Sequence, residues 1–304
     1  MNRKECRLLP HIKEPIYGMK TNAAQILPWA ISQFNVPVLW NQTSGNDVIV
    51  AVIDTGCDYN HDDIKNNIIQ GTNIVENNND PIDRNGHGTH VAGTIAAINN
   101  SLGVVGVSPN TKILPIKALN DNGSGSNDAV ARAIEWACDN GADIITMSLG
   151  SDYPSVRIER ALNYAVSKGV VIFCAAGNSG IKNDINFPAR YEETICIAAV
   201  DRGLNICNFS CTGDSLDFLA PGQDIISTTP NNSYSLMSGT SMAAPFAAGC
   251  AALYLSYLRI SNKELKIDKE NYIKHFSKRS MPLENPEYRG MRRYQGNGII
   301  VPYV

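Results

Sequence analysis

Continuous apolar, β-branched runs recur along this chain, and the segments between several of them carry helical periodicity. Residues 48–53, VIVAVI, run straight into Asp54-Thr55-Gly56. Apolar at successive rather than alternating positions, they predict a strand buried on both faces and closed by a turn. Runs of the same kind stand at 113–118, 143–147, 170–174 and 194–200. Within 127–139, Val130, Ala133, Ile134 and Ala137 fall on one helical face behind Asn127 as candidate cap, and a second helical pattern at 155–168 closes at Gly169. Strand and helix in alternation predict an α/β fold, a mostly parallel central sheet with helices on both faces, whose ligands bind at the carboxyl ends of the strands. Asp54 stands at such an end. Residues 205–236 break into shorter β-like pieces, and helices are predicted at 242–259 and 263–277.

Composition narrows the function classes. Across 304 residues, 26 Lys and Arg against 29 Asp and Glu leave a formal charge of -3. No basic field exists to gather nucleic acid or an anionic membrane surface, so neither is expected as a partner. A 43% hydrophobic and 18% charged composition is that of a folded domain. Arg3, Lys4, Glu5, Arg7 and Pro10 leave the N-terminus without the apolar core of an export signal. The longest apolar run, 242–255, holds Pro245 and Gly249 and predicts a buried helix rather than a membrane span. Eight cysteines in such a chain suit reduced thiols and a cytoplasmic location. The one break in composition sets a polar extension, residues 1–20, before a compact domain, residues 21–304.

Three short motifs combine a reactive side chain with small neighbours: VIDTG at 52–56, NGHGTHVAG at 85–93 and SGTSMAAP at 238–245. His87 and Ser241 each precede an alanine-rich helical stretch, which puts both in a first turn, where unpaired amides and the helix dipole favour negative charge. Taken singly, an Asp after a strand is a turn residue and a Ser at a helix start is a cap. His87 and His90 lack the third ligand of a metal site, and Cys207 and Cys211 lack a second pair.

In their order, Asp then His then Ser, these motifs resemble the subtilisin-like serine proteases. The resemblance implies that Ser241 is the nucleophile, His87 the general base and Asp54 the group that orients the imidazole. CAAGN at 174–178 matches the segment whose Asn completes the oxyanion hole, which assigns Asn178. It further implies that Gly123, Ser124 and Gly125 on one side and Ser148, Leu149 and Gly150 on the other pair with a polypeptide substrate lying as an added strand. Ala175, Ala176 and Gly177 would line the primary pocket with Asn186 at its base, where small residues are frequent in the family. INNSLGV at 98–104 resembles the family's calcium loop; Gln25, Asp63, Asn100 and the carbonyls of Ile98, Leu102 and Val104 form an oxygen set suited to Ca²⁺.

Within the family the chain is most similar to the intracellular subtilisins, whose short N-terminal extension carries a Leu-Ile-Pro-Tyr motif that blocks the active site. Leu8-Leu9-Pro10-His11 takes that place here, with His for Tyr. The expectation is a calcium-stabilised serine endopeptidase made as a zymogen, its own extension the inhibitor. The alternatives are a dedicated processing peptidase for leader or activation peptides, or a silent relative that only binds peptide or calcium. Members of this subgroup pair into homodimers through a C-terminal extension, and whether this chain does so is open.

Overall fold

The computed structural model describes residues 4–15, 24–181, 184–263 and 268–304. Its first strands are β1 (Glu5–Leu8), β2 (Ile12–Pro15), β3 (Ile49–Asp54), β4 (Thr72–Asn73), β5 (Lys112–Lys117), β6 (Ser124–Ser126) and β7 (Ile144–Met147). They continue with β8 (Leu149–Gly150), β9 (Val171–Ala175), β10 (Thr194–Val200), β11 (Phe218–Pro221), β12 (Ile225–Thr229) and β13 (Ser233–Ser238). The main helices, in chain order, are α1 (His87–Ala96), α2 (Asn127–Asp139), α3 (Val156–Ser167), α4 (Thr240–Ile260) and α5 (Lys269–Ser277).

Seven strands form one sheet in the order β11-β10-β9-β7-β3-β5-β4, and every neighbouring pair in it is parallel. The unbroken apolar runs are explained by this arrangement, because β7, β9 and β10 are buried at each position. All five predicted strands occur within a residue or two of their predicted bounds. The helix over 127–139 is present, but its cap is Ser126, whose Oγ accepts from Ala129 N at 3.0 Å, rather than Asn127. The helix predicted from residue 242 starts at Thr240, so Ser241 is its second residue. It runs 21 residues, longer than its Pro and Gly suggest, and is apolar enough to cross a bilayer; its most apolar window is 89% buried, which makes it the core helix. The helix predicted from 263 begins at Lys269 behind an Asp268 cap; residues 264–267 lie outside the described chain.

Two three-stranded sheets, β6-β1-β8 and β12-β13-β2, stand beside the main one. Both contain a piece of the N-terminal segment. That segment, expected to precede the compact domain, is strand-paired into it over residues 5–8 and 12–15. The boundary expected at residue 20 falls outside the described residues.

Candidate active site

Asp54 ends β3, an inner strand of the main sheet, and the turn after it brings the carboxylate under the first turn of α1. His87 Nδ1 lies 2.8 Å from Asp54 Oδ1 and 3.0 Å from Oδ2, with both side chains fully buried. A carboxylate only accepts, so Nδ1 carries the proton and Nε2 keeps its lone pair. Gly88 makes the approach possible, since a Cβ there would sit 2.1 Å from the Gly56 carbonyl oxygen.

The first turn of α4 carries Ser241. Pro245, four residues on, has no N–H for the Ser241 carbonyl, and Ser148 Oγ donates to that oxygen at 2.8 Å instead. Ser241 Oγ leans toward the Ser148 carbonyl at 3.4 Å. His87 Nε2 is buried with no hydrogen-bond partner among the described residues. Asn178, one turn beyond β9, accepts from Thr240 N and Thr240 Oγ1 through Oδ1, both at 2.9 Å. That fixes the amide with Nδ2 outward, where it donates to the Pro10 carbonyl at 2.7 Å.

The residues expected to bind a peptide main chain surround residues 5–8. Cys6 is opposite Gly125, Arg7 opposite both Ser124 and Gly150, and Leu8 opposite Leu149; Leu8 N donates to the Gly123 carbonyl at 2.9 Å. Leu9 is buried beside Gly150, where an added Cβ would meet both Leu9 Cδ2 and Asn186 Cβ. These residues share a cavity of about 320 Å³ with Asp152, Tyr153 and Ser179. Asn186 Nδ2 donates to Asp152 Oδ1 at 2.9 Å. Gly177, at φ +124°, admits Asn186 because a Cβ would fall 2.3 Å from its Oδ1. Ala175 and Ala176 are fully buried.

Beyond Leu9 the segment leaves the register of an ordinary strand. The Leu9 carbonyl turns to His11 Nδ1 at 3.1 Å, and Asn178 holds the carbonyl of the next residue. Past that point β2 pairs antiparallel with β13, Ile12 opposite Ser238 and Lys13 opposite Met237.

Away from this cleft, Gln25 Nε2 is within 2.7 Å of the Ile98 carbonyl, 2.9 Å of the Val104 carbonyl and 3.2 Å of Asn100 Oδ1. Asn100 Nδ2 donates to Asp63 Oδ1 at 3.0 Å, and Val104 N to Asp63 Oδ2 at 2.7 Å. Leu102 N donates to Asn100 Oδ1 at 2.6 Å. Three oxygens thus converge on one amide nitrogen with a buried carboxylate one bond away, a donor set that fits a hard cation once the Gln25 amide turns its oxygen inward.

Several supporting residues have no motif of their own. Buried Asp83 accepts from Thr55 Oγ1, Asn85 N and Gly86 N through Oδ1, each at 2.9 Å. Its Oδ2 takes Thr89 N and Thr89 Oγ1, so one carboxylate ties the turn after Asp54 to the turn holding His87. Buried Lys117 donates to the Thr55 carbonyl at 2.8 Å and to Asp121 at 2.6 Å. The one sequence signal for the Ser148 hydroxyl was Pro245. His90 is a structural residue as expected: its Nε2 contacts the Ile225 and Ser235 carbonyls, and burial pushes its pKa down to about 3.

A parallel sheet with a buried Asp-His pair at one strand end and a serine in a facing helix turn defines the class of subtilisin-like serine hydrolases. The family model for the subtilases, peptidase family S8, matches residues 45–298, and the chain belongs to that family. It is 46% identical over 234 residues to the alkaline protease of Alkalihalobacillus alcalophilus, covering 77% of this chain and 60% of that protein's length. It is 40% identical over 282 residues to the intracellular serine protease of Paenibacillus polymyxa, covering 90% of this chain and 85% of the relative. Subtilisin Savinase of Lederbergia lenta is 46% identical over 231 residues, 76% of this chain and 84% of the relative.

Proposed function

We propose that this chain is a calcium-stabilised serine endopeptidase of the cytoplasm, held as a zymogen by its own N-terminal extension. The observation that carries the reading is the Asn178 amide on the Pro10 carbonyl at 2.7 Å, with its Oδ1 held by Thr240 next to Ser241, in a chain that also holds the buried Asp54-His87 pair. In the reaction Ser241 Oγ turns from Ser148 to His87, adds to the scissile carbonyl carbon and gives its proton to His87 Nε2. Asn178 Nδ2 and the amides of the α4 first turn stabilise the oxyanion. Collapse breaks the C–N bond as His87 returns the proton to the leaving amine, and water then hydrolyses the Ser241 ester by the same route. Asp54 keeps the Nδ1 proton in place throughout.

Polypeptide is the substrate that the flanking strands suit, since β6 and β8 offer main-chain hydrogen bonds to an inserted strand and the Asn186 cavity receives one side chain. Inhibition by the extension is supported by its register. Leu9 is buried at the wall of the cavity, but its carbonyl points to His11, so the Leu9-Pro10 bond is not presented to the oxyanion donors. Calcium would be held by Gln25, Asp63, Asn100 and the carbonyls of Ile98, Leu102 and Val104, tying the segment after the extension to α1's exit loop. The cytoplasmic location is supported by eight free cysteines, seven of them buried, and by one relative's description as intracellular.

The deciding experiment is the intact mass of full-length protein over time in calcium, beside Ser241→Ala. Loss of an N-terminal piece in wild type alone is expected; equal shortening of both chains would refute the role of Ser241. Chelation of calcium is expected to lower the melting temperature by several degrees, since an ion at about 100 times its Kd adds about 2.7 kcal/mol. An unchanged melting curve would remove calcium from the proposal.

A further inference from the structure

The helix turn that carries His87 is capped from outside. Gly86 stands at the cap position of α1 and offers no side chain to the free amides of the first turn. Asp83 supplies the acceptors instead. Its Oδ1 takes Asn85 N and Gly86 N, and its Oδ2 takes Thr89 N, each at 2.9 Å. Gly88 N, which lies between them in sequence, donates to Thr55 Oγ1 at 3.0 Å. That hydroxyl donates in turn to Asp83 Oδ1 at 2.9 Å, so its orientation is fixed by a bond on each side.

Thr55 is also the residue after Asp54, and its main chain is held on both sides. Thr55 N donates to Asp54 Oδ1 at 2.7 Å, and the Thr55 carbonyl accepts from the Lys117 ammonium at 2.8 Å. Thr55, Asp83 and Lys117 are all buried. The Asp54 carboxylate and the His87 ring thus belong to two turns that are joined through the Thr55 hydroxyl and the Asp83 carboxylate. Their own contact, Nδ1 to Oδ1 at 2.8 Å, depends on the spacing of those turns. A buried polar network with its donors matched specifies one geometry, and a partly matched one does not. Charge is needed here as well as shape, because every group on the Asp83 oxygens is a donor. An amide in its place would leave either Thr89 N, or Asn85 N and Gly86 N together, without an acceptor.

We propose that Asp83, acting through Thr55, is a positioning residue for the reaction. It fixes the first turn of α1 against the turn after Asp54, so that the imidazole keeps its place on the carboxylate while the proton crosses to and from Nε2. Asp83 itself touches neither the reacting atoms nor the residues that flank the substrate strand. Its effect reaches turnover through the placement of His87, where a displacement of about 1 Å can cost about 10²-fold. The inference rests on the reading of the chain as a serine endopeptidase and adds a residue behind its triad.

The test compares full-length wild type with Asp83→Asn, Thr55→Val and Thr55→Ser. Each chain is incubated in calcium to constant mass, checked by its melting curve, and assayed for peptide hydrolysis per site labelled by a fluorophosphonate. Asp83→Asn is expected to lower kcat about 10- to 100-fold and to change KM by less than about threefold, because the peptide is held by β6, β8 and the Asn186 cavity rather than by this turn. Thr55→Val, which keeps the carboxylate and removes the hydroxyl, should lose kcat to a similar degree. Thr55→Ser, which keeps the hydroxyl, should stay within about threefold of wild type. Combining Asp83→Asn with Thr55→Val should cost less than the product of the two single losses, since both cut the same link. A folded Asp83→Asn or Thr55→Val with wild-type kcat overturns the inference. So does a loss that falls on KM alone, or a Thr55→Ser as slow as Thr55→Val. If Asp83→Asn does not fold, the two Thr55 variants decide. A wild type that hydrolyses no peptide refutes the endopeptidase reading itself, and this inference with it.

Discussion

The N-terminal segment meets the cleft in two ways on either side of Pro10. Residues 5–8 are the centre strand of β6-β1-β8, paired on both edges, with Cys6 fully buried and Leu9 next to them 4% exposed. Residues 12–15 are the edge strand of β12-β13-β2, paired once, and Ile12 is 57% exposed. Similar numbers of residues thus carry unequal shares of the docking free energy. Burying a leucine is worth about 1.5–3 kcal/mol, whereas an exposed edge side chain contributes little. Residues 5–9 anchor the segment, and residues 12–15 align it.

Asn178 holds the Pro10 carbonyl of the extension and is the proposed oxyanion donor, so Asn178→Ala probes both roles with the largest effect. Turnover of the processed enzyme is expected to fall about 10²- to 10³-fold, the magnitude known for the corresponding amide in a related subtilisin. Loss of the Pro10 contact should also loosen the extension of the unprocessed chain. A variant with full turnover would remove Asn178 from the oxyanion site. Next in size is Leu9→Ala: truncating a buried leucine costs about 2–5 kcal/mol, so inhibition by a synthetic peptide of residues 1–20 should weaken at least thirtyfold. Ile12→Ala in the same peptide should change inhibition less than twofold. Equal effects would break the contrast between the two halves.

Acidification falls between those two. Docking depresses the His11 pKa from its ordinary value of about 6.5, chiefly through burial and then through His87, with Asp54 and the Leu9 carbonyl opposing and Lys13 adding to the depression. The docked form therefore binds fewer protons at this site than the released form. Its docking contribution is whole above pH 6.5 and is lost as pH falls below it. Peptide inhibition measured from pH 7.5 to 5.5 should weaken for the natural peptide more than for His11→Tyr. Identical profiles would exclude His11 as the titrating group.

Much of this was legible in one dimension. The runs at 48–53, 143–147, 170–174 and 194–200 read correctly as doubly buried strands because a parallel sheet covered on both faces demands apolar side chains at every position. Asp54, His87, Ser241 and Asn178 were legible as candidates because each sits in a short motif whose small neighbours permit close approach. Asp83 and Lys117 were not, because a buried carboxylate or ammonium is recognised only by its partners, and the one that both share, Thr55, lies 28 and 62 residues away in sequence. The cap at Ser126 was missed by one residue because Asn127 beside it is an equally good capping type.

By itself the sequence determined the class of fold, the order of the reactive residues and the presence of a polar N-terminal segment, since periodicity and local motifs are written in neighbouring positions. Only the tertiary structure decided that this segment runs through the cleft in two strands, that the Leu9 carbonyl turns away while Pro10 takes its place on Asn178, and that His11 faces His87. Those are matters of register between chain segments far apart in sequence, and register is set by hydrogen bonds and pockets that exist only once both partners are folded.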